Sequence, residues 1–148
     1  MILDKIDTKI IEILELDGRT PNAFMAKKIG VSEGTIRRRL KKLISDNYIH
    51  VNGVANPSKL GLDSQAIVGI KADADKIEQI VEALGQFSEV KWLSITTGQY
   101  DVFCWVALST PSDLGAFLRD KLGVLSGVQS SETFVSLGGI VKNGNGAK

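Results

Sequence analysis

The chain has 148 residues, 43% hydrophobic and 24% charged, a composition suited to one ordinary globular domain or two small ones. No apolar run approaches the roughly 20 residues a membrane-spanning helix needs. No secretory leader is expected, and Cys104, the only cysteine, permits neither an internal disulfide nor a cysteine zinc site, so a cytoplasmic protein without metal, cofactor or membrane partner is expected.

The net charge of +1 conceals an asymmetry. Residues 1–52 carry ten Lys and Arg against seven Asp and Glu, and residues 53–148 carry eight against ten. Seven of the basic residues fall within Lys27–Lys42, beside a single acid, Glu33. Local density of this kind attracts a polyanion whatever the total.

In chain order, Ile6, Ile10, Ile13 and Leu14 lie on one face of a predicted helix over 5–17, with Asp4 as its cap and Gly18 at its end. A second helix is predicted from a Thr20 cap and Pro21 to Ile29, with Phe24, Met25 and Ala26 inward. Gly30 makes a turn, and Ser32 caps a third helix that turns Ile36, Leu40 and Leu43 inward. Three short helices with a glycine turn before the last predict a helix-turn-helix unit over 1–54. Residues 48–54 read as a short extended segment, and 55–62, with Asn56-Pro57-Ser58, as a linker.

Beyond the linker the periodicity changes. Ala66, Val68 and Ile70 alternate along a strand, and Ile77, Ile80, Val81 and Leu84 mark a helix over 75–87. Asp73 and Asp75 are expected to cap that helix. Strands over 90–97 and 100–108 flank a Gly98-Gln99 turn and form a hairpin. Thr110-Pro111-Ser112-Asp113 starts a helix bearing Leu114, Phe117, Leu118 and Leu122, and 128–137 is a last strand. The order βαββαβ predicts an α+β chain: the helix-turn-helix, then a ferredoxin-like domain over 63–141 and a frayed tail over 142–148. The strand 100–108 is apolar on both faces, Val102, Cys104, Val106 and Leu108 on one and Phe103, Trp105 and Ala107 on the other. A second copy of the sheet is the expected cover, giving a homodimer.

With Ile36 inward, Gly34, Arg38 and Lys41 point outward on the third helix, and Thr35, Arg37 and Lys42 lie on its flanks. Recognition helices read bases with their N-terminal residues and hold phosphates with Lys and Arg. Ser32, Thr35 and Arg38 are therefore candidates for base edges of double-stranded DNA, and Arg37, Lys41 and Lys42 for phosphates. Gly34 allows close approach, and Arg39 sits nearer the core. The bland alternative is a solvated basic face.

Five segments resemble the leucine-responsive regulator (Lrp/AsnC, feast/famine) family: Leu3–Ile10, Asp17–Arg19 with Ala26–Ser32, Pro57–Leu62, Thr97–Val102, and Gly127-Val128 with Ser131–Phe134. The chain departs from that pattern at Pro21, where a Ser or Thr cap is common, and at Ser131, where Thr is common. The resemblance implies a winged helix-turn-helix, an effector domain for small molecules, usually amino acids, and dimers that assemble into tetramers or octamers. It implies effector contacts at Gly98, Gln99, Tyr100 and Asp101, with Ser131 and Thr133. An ammonium suits Asp101, and a carboxylate suits backbone N–H groups near Gly98. The competing reading makes Gly98-Gln99 a plain turn and Asp101 a structural acceptor.

An enzyme is not expected: His50 is the sole histidine, Cys104 lies in an apolar strand, and no phosphate loop is present. The expected function is sequence-specific transcriptional regulation responsive to a small effector. The alternatives are a nucleoid-organising protein of weak sequence preference, and an amino-acid-binding module with vestigial DNA contacts.

Overall fold

Asp4 opens the first helix, α1 (Lys5–Leu16), through a capping box: its carboxylate accepts the Ile6 and Asp7 N–H groups, and Asp7 accepts the Asp4 N–H. The computed structural model describes residues 2–138, which divide into two units, one ending at Val54 and the other beginning at Ala55. The tail expected over 142–148 lies outside the described residues.

In the first unit α1 is followed by α2 (Asn22–Ile29) and α3 (Glu33–Ser45). Ile10, Ile13, Leu14, Met25, Ala26, Ile36 and Leu43 form its core, each of the larger ones stabilising by about 1.5–3 kcal/mol on burial. Gly30 ends α2 with φ 85°, the left-handed conformation that favours glycine. Ser32 caps α3 by accepting the Thr35 N–H.

Two local expectations are corrected. Pro21 itself occupies the N-cap of α2, without a side-chain cap, because the Thr20 hydroxyl donates to the Asp17 carbonyl at 2.8 Å. Phe24 is 54% exposed rather than inward, its ring under the Lys28 ammonium at 6.0 Å. Residues 49–54 carry neither helix nor strand.

The second unit contains β1 (Ser64–Ala72), α4 (Ile77–Gly85), β2 (Val90–Ile95), β3 (Val102–Leu108), α5 (Pro111–Ala116) and β4 (Val128–Val135). The antiparallel sheet has the order β2-β3-β1-β4, the ferredoxin-like arrangement. α4 and α5 cover one face, where Ile80, Leu84, Leu114 and Phe117 meet Val68, Ile70, Val102, Cys104 and Val106. The capping box at Thr110 and Asp113 forms. α5 runs on into a π-helical segment, Phe117–Leu122, that no sequence signal marks. Asp73 is not a side-chain cap: its carboxylate accepts the Gln129 amide at 2.7 Å and so ties the start of the helix to β4.

On the open face, register places Trp92 opposite Trp105, Trp105 opposite Ile67, and Ile67 opposite Phe134. An apolar row thus crosses all four strands, with Trp92 54%, Ile67 48% and Phe134 46% exposed.

Candidate nucleic-acid interface and effector site

α3 sorts its cations by direction. Arg38, Lys41 and Lys42 are exposed and form no ion pair among the described residues. Arg37, also exposed, pairs with Glu33 one turn earlier at 2.9 Å, a contact worth about 0.3–0.5 kcal/mol. Ser32 and Thr35 are bonded to each other, Oγ to Oγ1, at 2.9 Å. Gly34 is exposed, and a Cβ there would meet nothing nearer than 3.9 Å.

Arg39 turns inward. Its Nη1 donates to Asp4 Oδ2 at 2.6 Å and to Asp7 Oδ1 at 3.0 Å. Asp7 is 3% exposed, the only buried charged residue among those described. The Asp7 and Asp4 hydrogen bonds hold the guanidinium more firmly protonated than usual. The Asp7 N–H, with Arg39 and the Ile6 N–H, holds the Asp4 carboxyl below its ordinary range. Local pattern reading treated Asp4 as a cap only. It missed Asp7, whose position three residues before Ile10 on the apolar stripe is the signal of a buried cation partner.

The hairpin closes more widely than a two-residue turn. Thr96 N–H donates to Asp101 O, and the Thr96 hydroxyl to Tyr100 O, both at 2.9 Å. Gly98 has φ 106°. The N–H groups of Gly98, Gln99 and Tyr100 donate to no group among the described residues. The Asp101 carboxylate is engaged: Ala72 N–H donates to it at 2.9 Å and Lys71 Nζ at 3.1 Å. These two, the backbone bond foremost, hold its pKa below the ordinary carboxylate range. Tyr100 packs its ring over Gly69, edge-on to Phe103 at 5.3 Å between centroids.

Ser131 and Thr133 pair with Ile70 and Val68, so they project on the helix-covered side of β4. Asp101 N–H bonds to Ile70 O from the other side of β1. Gly98–Asp101 are thus brought together, and Ser131 and Thr133 stand apart from them across β1. Lys71 and Gly69 were not singled out in the sequence, because their partners lie about thirty residues away.

Residues 3–44 match the AsnC-type helix-turn-helix domain, and residues 65–145 match the Lrp/AsnC ligand binding domain. The regulatory protein AsnC of Haemophilus influenzae is 36% identical over 137 residues, 91% of each chain. The HTH-type transcriptional regulator FL11 of Pyrococcus furiosus is 36% identical over 92% of this chain and 90% of its own. The structure of Escherichia coli AsnC superposes with a TM-score of 0.79 at 29% identity, covering 95% of this chain and 96% of that one. These relatives are transcriptional regulators, not enzymes. The chain belongs to the Lrp/AsnC family of DNA-binding transcriptional regulators, with an N-terminal helix-turn-helix and a C-terminal ligand-binding domain.

Proposed function

We propose that α3 reads a roughly palindromic operator as part of a homodimer, with Ser32, Gly34, Thr35 and Arg38 towards the bases and Arg37, Lys41 and Lys42 on phosphates. Residues 1–54 then form the DNA-binding domain, 55–62 the linker, and 63–141 the sensing and oligomerisation domain of a cytoplasmic regulator. Gly34 carries this reading. Glycine is a poorer helix former than alanine, yet at this position, in the first turn of α3, neither its backbone angle nor its surroundings require a missing side chain. Close approach by an outside surface is the remaining reason for it.

Gly34→Ala is therefore expected to raise thermal stability while weakening binding to an operator duplex selected in vitro. Unchanged affinity sinks the assignment. Loss of one phosphate contact, as in Lys42→Ala, should reduce the slope of log K against log salt by about 0.9 per contact. Footprints at discrete sites separate regulation from general DNA coating, and the names of the relatives favour regulation.

The dimer is proposed to close over the row Trp92–Trp105–Ile67–Phe134. Ile67→Glu should yield monomers in sedimentation; a dimer that survives it rules this face out. A tetramer or octamer would be a further assembly of such dimers.

An amino acid is the proposed effector, in keeping with the L-Met bound to a structurally similar regulator from Neisseria meningitidis (24% identity, TM-score 0.81, covering 96% of this chain and 94% of that one). Its carboxylate would meet the N–H groups of Gly98, Gln99 and Tyr100, and its ammonium would share Asp101 with Lys71. Ser131 and Thr133 would be supplied by a neighbouring copy. A thermal-shift screen of amino acids tests this: a ligand at 100 times its Kd stabilises by about 2.7 kcal/mol, and no shift with any of them refutes it.

A further inference from the structure

We propose that Asp4, Asp7 and Arg39 form a latch that sets the position of α3 for base reading, so that Arg39 serves DNA recognition without touching DNA. This rests on the reading of α3 proposed above.

Every carboxylate oxygen of the pair has its own task. Asp4 Oδ1 accepts the Ile6 and Asp7 N–H groups, and Asp7 Oδ2 accepts the Asp4 N–H. The other two oxygens, Asp4 Oδ2 and Asp7 Oδ1, converge on Arg39 Nη1. The two aspartates thus cap α1 and clamp the middle of α3 at the same time, across 35 and 32 residues of sequence. Because the cap fixes both carboxylates on the first turn of α1, Arg39 fixes the position of that turn against α3.

Arg39 Nε is buried and has no hydrogen-bond partner. A guanidinium placed for pairing alone would present Nε and one Nη to a single carboxylate. Here the fork is turned so that one nitrogen spans two carboxylates, which favours placement of the helix over the strongest pairing. The latch also lies against the proposed reading face. Arg38 and Lys42 line the same cavity, of about 390 Å³, as Asp4, Asp7 and Arg39. Left unneutralised, the two carboxylates would repel phosphates beside those two cations.

The test turns on sign. Removing an acid beside a DNA-facing surface strengthens DNA binding if only charge matters. Asp4→Asn keeps the cap, since Asn caps as well as Asp, but its amide nitrogen cannot accept from Arg39. The full-length variant, its fold checked by circular dichroism, is titrated with the selected operator duplex and with a scrambled duplex of equal length. The latch predicts operator binding weakened by about fivefold or more, roughly 1 kcal/mol, with scrambled-duplex binding unchanged or tighter. Tighter or unchanged operator binding overturns it.

Arg39→Met should weaken operator binding with no change in salt slope, and Arg39→Lys should recover most of the loss through its single nitrogen. A slope reduced by about 0.9 in Arg39→Met means that Arg39 holds a phosphate instead. Asp4→Asn decides the matter if Arg39→Met does not fold. Arg38→Ala separates the two readings. If it weakens binding and the latch variants do not, the latch alone fails; if none of them does, the assignment of α3 fails.

Discussion

Gly69 lies on the open face of β1 beneath the Tyr100 ring, and an added methyl there has nowhere to go. A Cβ would lie 2.8 Å from Tyr100 Cγ, 2.9 Å from Cδ2 and 3.0 Å from Phe103 Cε1, all inside van der Waals contact. Cγ is the root of the ring, so the side chain cannot yield at its tip; either the strand shifts or Tyr100 swings away. Swinging away forfeits the edge-to-face pair with Phe103, worth about 0.5–1.5 kcal/mol beyond its burial. Staying costs about 1–3 kcal/mol in overpacking. Removing a glycine from a strand interior returns about 0.5–1 kcal/mol. The expected net loss in Gly69→Ala is about 1–2 kcal/mol, a fall in Tm of roughly 4–16 °C for a unit of this size. Trp92 and Trp105 are the only tryptophans and both lie in the sheet, so their fluorescence follows this unit alone. Gly85→Ala, with no heavy atom near its Cβ, is the control and should be neutral or stabilising. Tyr100→Ala in the Gly69→Ala background should recover part of the loss. Additive losses in that double variant, with no coupling, would refute the seating of Tyr100 over Gly69.

Ile36→Ala empties a fully buried site in the small first unit and should cost about 2–5 kcal/mol; DNA binding is then lost while the tryptophan-detected transition of the sheet remains. Asp101 has a lowered pKa, so its ion pair contributes fully above the ordinary value of 3.8 and loses its contribution as pH falls through the lower native value. Asp101→Asn should accordingly narrow its stability gap to wild type as a denaturation series is taken below pH 4, and a gap that widens contradicts the assignment. Cys104 is fully buried and its thiol is pushed up to about 11, so a thiol reagent at neutral pH should modify it only at the rate of unfolding; immediate native-state labelling would show that β3 is not closed.

Local patterns carried most of the architecture. The 3.6-residue stripes of α1, α3 and α4, the Gly30 turn, the Ser32 cap and the Thr110 box each depend on residues within one or two turns, and each forms where its pattern lies. Reading failed where two local partners competed or where the partner was remote. Thr20 and Pro21 both suit a helix start, and the Asp17 carbonyl claims Thr20. Asp73 looks like a cap until Gln129, 56 residues on, takes its carboxylate. The candidate effector loop was legible as a turn with a left-handed glycine. Its electrostatics were not, because Lys71 meets Asp101 only through the pairing of β1 with β3.

The near-neutral chain and the basic helix are two aspects of one arrangement. The cations of α3 that point inward or sideways, Arg39 and Arg37, are matched by Asp4, Asp7 and Glu33. Those that point outward, Arg38, Lys41 and Lys42, are left unpaired among the described residues. Of the cations proposed for phosphates only Lys41 and Lys42 are unpaired among the described residues, Arg37 being shared with Glu33, so one copy would give only a weak, salt-sensitive attraction. The proposed dimer would double the free cations and add a second set of base contacts at a fixed spacing. The dimer proposed over the apolar row and the reading proposed for α3 thus support each other: a helix with so few free cations would gain most from being paired.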